Sequence, residues 1–73
     1  MITITVVYPS GKPVQGSRVC LGFSMGFTEE ILTDEYGEAT FGGVESGRTG
    51  SVYIDGQEVF SDRPIPSSKT FEL

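Results

Sequence analysis

Glycine and proline divide this chain into short segments, and this division limits what it can fold into. Ten glycines and four prolines are spread over 73 residues. No segment shows sustained 3.6-residue periodicity, so we predict no helix longer than a turn. The length allows one small domain, residues 1–73, with a thin hydrophobic core.

Alternation of apolar and polar residues predicts seven short strands. The first is Ile2–Tyr8, in which β-branched residues alternate with threonine. The others are Ser17–Phe23, about Phe27–Thr33, Glu38–Phe41, a fifth strand in which Gly50, Val52 and Ile54 share a face, Gln57–Phe60 and Lys69–Leu73. Ser61–Ser68 is predicted to be a loop stiffened by two prolines. We expect an all-β, seven-stranded antiparallel β-sandwich of Ig-like architecture.

The stretch Thr33–Phe41 is predicted to be the central hairpin of the sandwich. Asp34 can accept hydrogen bonds from amides two residues on, and Gly37 can adopt a positive φ. We expect the other strands to pack around this hairpin, with Phe41 and Val19 in the core.

Two motifs, in this order along the chain, resemble those of carboxypeptidase regulatory-like domains. Gly11–Val19 (GKPVQGSRV) resembles the opening G-x-P-V-x-G-A-x-V of that family, and Thr33–Phe41 (TDEYGEATF) resembles its T-D-x-x-G-x-F-x-F hairpin. Val44–Gly47 looks like the L-x-x-G turn that follows. The resemblance covers nearly the whole chain and implies the transthyretin fold, a prealbumin-like sandwich.

The chain departs from the family at three places. Ser17 stands where the family more often has alanine, and Ala39 stands where it has a larger apolar residue. After Gly47 the apolar alternation is displaced by one residue. We expect a β-bulge near Thr49-Gly50, because one extra residue moves every later side chain to the other face.

The composition argues against catalysis. Without histidine the chain has no His-based acid–base pair, no Ser-His triad and none of the usual catalytic zinc sites. The transthyretin-like hydrolases of purine degradation use histidines that this chain lacks. Cys20 is the single cysteine, which excludes an internal disulfide, and it is expected to act as a small hydrophobe. We expect no catalytic residues and no cofactor.

Acidic residues at the predicted turns offer a calcium alternative. Asp34, Glu35 and Asp55 could supply carboxylate oxygens to the ion. Their spacing matches no dense acidic loop, so turn capping by aspartate is expected instead and no metal site is predicted. Asp55-Gly56 is itself the strongest hairpin signal, predicting a two-residue type I′ turn.

Charge and hydropathy restrict the partners. Five basic and ten acidic residues give 5 − 10 = −5, without a basic cluster, so we expect no nucleic-acid ligand. No apolar run approaches the ~20 residues of a membrane span, so we expect no membrane insertion. The start lacks the features of a secretory signal. The chain is expected to be cytoplasmic if complete, and extracellular or periplasmic if it is an excised domain.

Two surfaces are candidates for docking a partner. The tip formed by Phe23, Met25 and Phe27 is unusually apolar for a hairpin turn. It either covers the open end of the sandwich or binds another protein. Ile2–Tyr8 has no charge to protect an edge, so Val7 would receive a partner strand by β-augmentation. We therefore expect a non-catalytic structural or protein-interaction module, an accessory domain whose partner is another protein or an adjoining domain.

A small carbohydrate-binding module is the alternative, because starch-binding modules also use prealbumin-like sandwiches. Sugar sites commonly stack rings on aromatic side chains, and this chain has no tryptophan. Tyr8, Tyr36 and Tyr53 could serve instead only if two of them were exposed on one face.

Overall fold

The computed structural model describes residues 1–73, which form eight strands and no helix. The strands are β1 (Ile2–Val7), β2 (Arg18–Phe23), β3 (Gly26–Phe27), β4 (Ile31–Leu32), β5 (Glu38–Phe41), β6 (Thr49–Ile54), β7 (Gln57–Pro64) and β8 (Ser68–Glu72). One sheet has three strands in the order β5-β1-β8; the other has five, in the order β3-β2-β6-β7 with β4 also paired to β2. The predicted all-β, two-sheet architecture is confirmed. The structure contains no helix with the length and apolar character needed to cross a membrane.

β1 is the central strand of the three-stranded sheet. It pairs antiparallel with β5, where Ile2 lies opposite Phe41, and parallel with β8, where Val7 lies opposite Glu72. The prediction that Ile2–Tyr8 is an open edge is therefore wrong, and Val7 has no free edge to offer a partner strand. The parallel pair also corrects the expectation of a wholly antiparallel sandwich. It arises because a short connection takes the chain from β7 to the other sheet, where β8 runs in the direction of β1.

Alternate residues of the strands fill one core between the sheets. Phe41 and Val19 are buried, as predicted, and Val44 packs against the core from its glycine-rich loop. The buried hydrophobic residues are Ile2, Ile4, Val6, Val14, Val19, Leu21, Ala39, Phe41, Val52, Ile54, Phe60 and Ile65. Ile65 is a surprise, because it lies between two prolines in the predicted loop yet has 0% exposure.

Thr33–Phe41 is a corner between the two sheets and not a hairpin. β4, before the turn, pairs with β2, whereas β5, after it, pairs with β1. The predicted turn chemistry is confirmed: Asp34 Oδ1 accepts the Tyr36 and Glu38 amides at 2.9 and 3.0 Å, and Gly37 has a φ of 76°. The Gly37 carbonyl accepts the Val6 amide at 2.8 Å, which attaches the corner to β1.

Thr33 joins this corner to the segment before β2. Its buried hydroxyl donates to the Val14 carbonyl at 2.6 Å and accepts the Ser17 amide at 2.9 Å. Its backbone amide donates to the Ser17 carbonyl, and its carbonyl accepts the Gly16 amide. Thr33 therefore makes four hydrogen bonds with residues 14–17, which belong to no strand.

The predicted third strand, Phe27–Thr33, is broken into β3 and β4, so there are eight strands and not seven. Thr28 lies at the break. Its amide donates to the Leu21 carbonyl at 2.8 Å, while its hydroxyl accepts the Leu21 amide at 2.9 Å in place of a backbone carbonyl. A side chain thus completes the ladder at the point where the predicted strand is interrupted.

β7 is longer than the predicted sixth strand, because Ser61–Pro64 continues it instead of forming a loop. Its pairing with β6 is irregular. Between the pairs Gly50↔Arg63 and Val52↔Phe60, β6 has one residue and β7 has two. The bulge expected near Thr49-Gly50 is thus in the partner strand, and β6 itself pairs with β2 without interruption.

The turn between β6 and β7 is the predicted type I′ turn, since Asp55 and Gly56 have φ values of 52° and 84°. The Asp55 carboxylate also accepts the Arg18 amide at 3.0 Å and the Ser17 hydroxyl at 2.8 Å. Ser17 therefore has a defined structural role. It attaches the β6–β7 turn to the start of β2.

Candidate functional site

The end of the β2–β3 hairpin projects from the five-stranded sheet. Phe23 pairs with Gly26, so the turn consists of Ser24 and Met25. Met25 is 90% exposed and Phe27 is 70% exposed, whereas Phe23 is half-buried and packs against the core. Each of the two interpretations of the tip, a cover for the core and a docking surface, therefore fits part of it. Phe23 covers one end of the core, while Met25 and Phe27 face solvent.

Phe27 and Tyr53 form an aromatic pair on the outer face of the sheet. Their ring centroids are 5.4 Å apart at an interplanar angle of 69°, an edge-to-face arrangement. The pair lies over Gly22, where an added Cβ would come within 2.9 Å of both rings. Gly22 is therefore required for this close approach. Sequence reasoning missed the pair because only the strand register brings β3, β2 and β6 together.

Tyr53 is held in place by Glu58 on β7. The tyrosine hydroxyl donates to Glu58 Oε2 at 3.1 Å, and this bond, with burial and the glutamate charge, raises the pKa of Tyr53. Hydrogen bonds from Ser61 and Tyr53 lower the pKa of Glu58. At neutral pH the site thus presents a neutral phenol beside an ionised carboxylate.

An open cleft of about 360 Å³ lies between the tip and the bulged part of β7. It is lined by aromatic rings, hydroxyl groups and one carboxylate; the residues are Gly22, Phe23, Ser24, Phe27, Thr49, Gly50, Ser51, Tyr53 and Asp62. Asp62 adopts a φ of 49°, and its amide donates to the Ser51 hydroxyl at 3.1 Å. The bulge is what brings this carboxylate to the cleft, so no signal in the sequence could have identified it.

A positive charge already covers one ring of the tip. The Arg48 guanidinium carbon lies 4.2 Å from the Phe23 ring centroid, which is a cation–π contact. Arg48 does not line the cleft, so the aromatic surface that remains available there belongs to Phe27 and Tyr53.

The remaining candidates lie elsewhere. Cys20 is half-buried opposite Tyr53, and burial together with the Glu30 charge raises the pKa of its thiol, which favours the unreactive protonated form. Two of the acids considered for calcium already accept hydrogen bonds within the protein. Asp34 caps the corner, and Asp55 binds Ser17 and Arg18. No three His, Cys, Asp or Glu side chains are grouped so as to hold a metal ion.

Two of the three tyrosines lie away from this surface. Tyr8 follows β1, and Tyr36 belongs to the corner between the sheets, where its ring is exposed. Only Tyr53 is at the cleft, and its aromatic neighbour there is Phe27.

Comparison with protein-family models, with curated proteins and with solved structures finds no match. The resemblance to carboxypeptidase regulatory-like domains therefore rests on the two motifs and the turn that follows them.

Proposed function

We propose that the protein is a non-catalytic protein-interaction module that docks another protein, or an adjoining domain, on the surface formed by Met25, Phe27 and Tyr53. The observation that carries the proposal is the exposure of Met25 and Phe27 on one hairpin, where Phe27 also lines the open cleft. Neither residue belongs to the hydrophobic core. Packing in the core therefore does not account for these two large apolar side chains, which lie two residues apart in one short hairpin.

The chemistry of these side chains suits a protein partner. Burying Met25 and Phe27 against a partner would contribute roughly 1.5–3 kcal/mol each, before the costs of association. Methionine adapts its shape to an opposing surface, and the aromatic pair offers a more rigid anchor beside it. None of the other exposed large apolar residues lines the cleft: they are Met1, Tyr8, Leu32, Tyr36, Val59 and Leu73.

The family that the motifs resemble supports the same proposal. We propose further that the chain is a carboxypeptidase regulatory-like domain with a prealbumin-like fold, in which the module serves a larger protein or assembly. Support comes from the motif positions, because Asp34 and Gly37 form the turn, while Val14, Val19 and Phe41 are buried.

Carbohydrate binding is the second candidate. The observation in its favour is that the aromatic pair stands beside the hydroxyl groups of Ser24, Thr49 and Ser51 in one open cleft. Against it, the pair is arranged edge to face, and no second tyrosine joins Tyr53.

The experiment identifies proteins crosslinked to the intact chain and then measures the dissociation constant of the purified partner. Phe27→Ser and Met25→Ser should each weaken binding at least about tenfold, the effect of roughly 1.4 kcal/mol. Tyr36→Ser is the matched control, because Tyr36 is 67% exposed but lies in the corner. A partner whose affinity is unaffected by both tip variants would refute the proposal. Saturable glycan binding that depends on Phe27, without any protein partner, would replace it with the alternative.

A further inference from the structure

Four of the five basic side chains of this chain lie against an aromatic ring or a carboxylate, whereas most of its carboxylates have no cationic partner. Arg48 lies over Phe23, Arg63 over Phe60 and Lys69 over Phe71, and Arg18 forms the one ion pair, with Asp55 at 3.7 Å. With ten acids against five bases, most carboxylates have no cationic partner within the chain. A partner that complements this surface must itself supply positive charge.

The cleft at the tip combines the two groups that recognise an organic cation. The rings of Phe27 and Tyr53 supply aromatic surface, and Asp62, at the bulge of β7, is the one acidic residue that lines the cleft. Glu58 adds a second negative charge behind Tyr53, at 3.1 Å from its hydroxyl. A cation placed against aromatic surface and paired with a carboxylate gains from both contacts.

We infer that the cleft binds an arginine side chain of the docked partner, an inference that rests on the proposed function of the tip. Arginine fits better than lysine because its planar guanidinium stacks on aromatic rings and bonds a carboxylate through two N–H groups. The molecule makes this contact twice within itself, at 4.2 Å between Arg48 and Phe23 and at 4.8 Å between Arg63 and Phe60. The partner is thus a protein segment with an arginine beside apolar residues, the latter covering Met25.

The test uses two peptides of nearly the same shape, acetyl-Leu-Arg-Leu-amide and the same peptide with uncharged citrulline in place of arginine. Each is titrated into the ¹⁵N-labelled full chain while amide shifts are recorded. We expect the arginine peptide to shift the amides of Gly22, Phe27, Ser51 and Asp62, and to bind at least about fivefold more tightly than the citrulline peptide. Equal affinities, shifts elsewhere, or no localised shift at millimolar peptide would overturn the inference.

Asp62→Asn is the decisive variant, because asparagine tolerates the left-handed backbone of this position but has no charge. It should remove the preference for arginine over citrulline, whereas Glu45→Gln, an exposed acid that does not line the cleft, should leave it unchanged. An unchanged preference in Asp62→Asn would contradict the role of the carboxylate. If the tip variants still abolish partner binding but the peptides bind equally, only this inference fails. If the affinity of no partner depends on the tip residues, the proposed function itself fails.

Discussion

At the scale of single residues, Gly37 is the position that tolerates least change. It has a φ of 76°, and an added Cβ would lie 2.5 Å from the Val6 carbonyl oxygen. Gly37→Ala should therefore lower the free energy of unfolding by about 2 kcal/mol or more, measured by urea denaturation. Gly43→Ala is the control, because nothing lies within 4 Å of its Cβ position and its φ is not positive. Equal stability of the two variants would show that the corner is placed wrongly.

Asp55 should make stability depend on pH. Hydrogen bonds from the Arg18 amide and the Ser17 hydroxyl lower the pKa of its carboxyl in the folded protein. A lowered pKa stabilises the fold above the ordinary carboxyl range, about pH 4, and this stabilisation is lost as the pH falls through the folded value. Asp55→Asn keeps a turn residue that accepts positive φ, and should flatten the decline in melting temperature below about pH 4. A decline identical to that of the parent would contradict this assignment.

At the scale of elements, the corner depends on one buried hydroxyl. Thr33→Val keeps the shape of the side chain but leaves the Ser17 amide without the Thr33 hydroxyl and the Val14 carbonyl without its donor. The loss should cost about 1–3 kcal/mol in unfolding free energy, because buried polar groups are left unpaired. Thr70→Val, on the exposed face of β8, should change stability by less than about 0.5 kcal/mol. A Thr33 variant as stable as the Thr70 variant would show that the corner is held by other contacts.

The strands of this chain could be predicted from the sequence more readily than their pairing. Alternation placed β1, β2 and β5 within a residue of their observed bounds, and turn chemistry identified Asp55-Gly56. The same chemistry at Asp34 and Gly37 could not distinguish a hairpin from a corner, because both use the same local turn. Side chains that act as backbone partners, such as Thr28, break a strand without any change in its apolar alternation.

At the scale of the whole molecule, the inner and outer faces of the sheets separate phenylalanines that stabilise the fold from those available for binding. Phe41 is 4% exposed and Phe27 is 70% exposed. Phe41→Ala should cost about 3–5 kcal/mol, a large share of the stability of so small a domain. Phe27→Ala should cost far less, because its ring contacts mainly Tyr53 and solvent. Thermal denaturation of the pair checks this, and comparable losses would place Phe27 in the core and refute its role in docking.

Only one part of the candidate site could be predicted from the sequence. The apolar tip was recognisable from Phe23, Met25 and Phe27, since three large apolar side chains are unusual at a hairpin turn. The cleft was not, because it depends on a register irregularity that puts Asp62 opposite Ser51. Contacts between strands that are distant in sequence have no local sequence signature. The cleft forms only when these strands pair, so no single segment of the sequence indicates it.

The most direct test of the central claim is the backbone hydrogen-exchange footprint of the complex with the crosslinked partner. Docking on the tip predicts slowed exchange at residues 22–28 and at the start of β6, with the β8 edge exchanging as in the free protein. Added protection confined to β8 or to the corner, with the tip unchanged, would contradict the account.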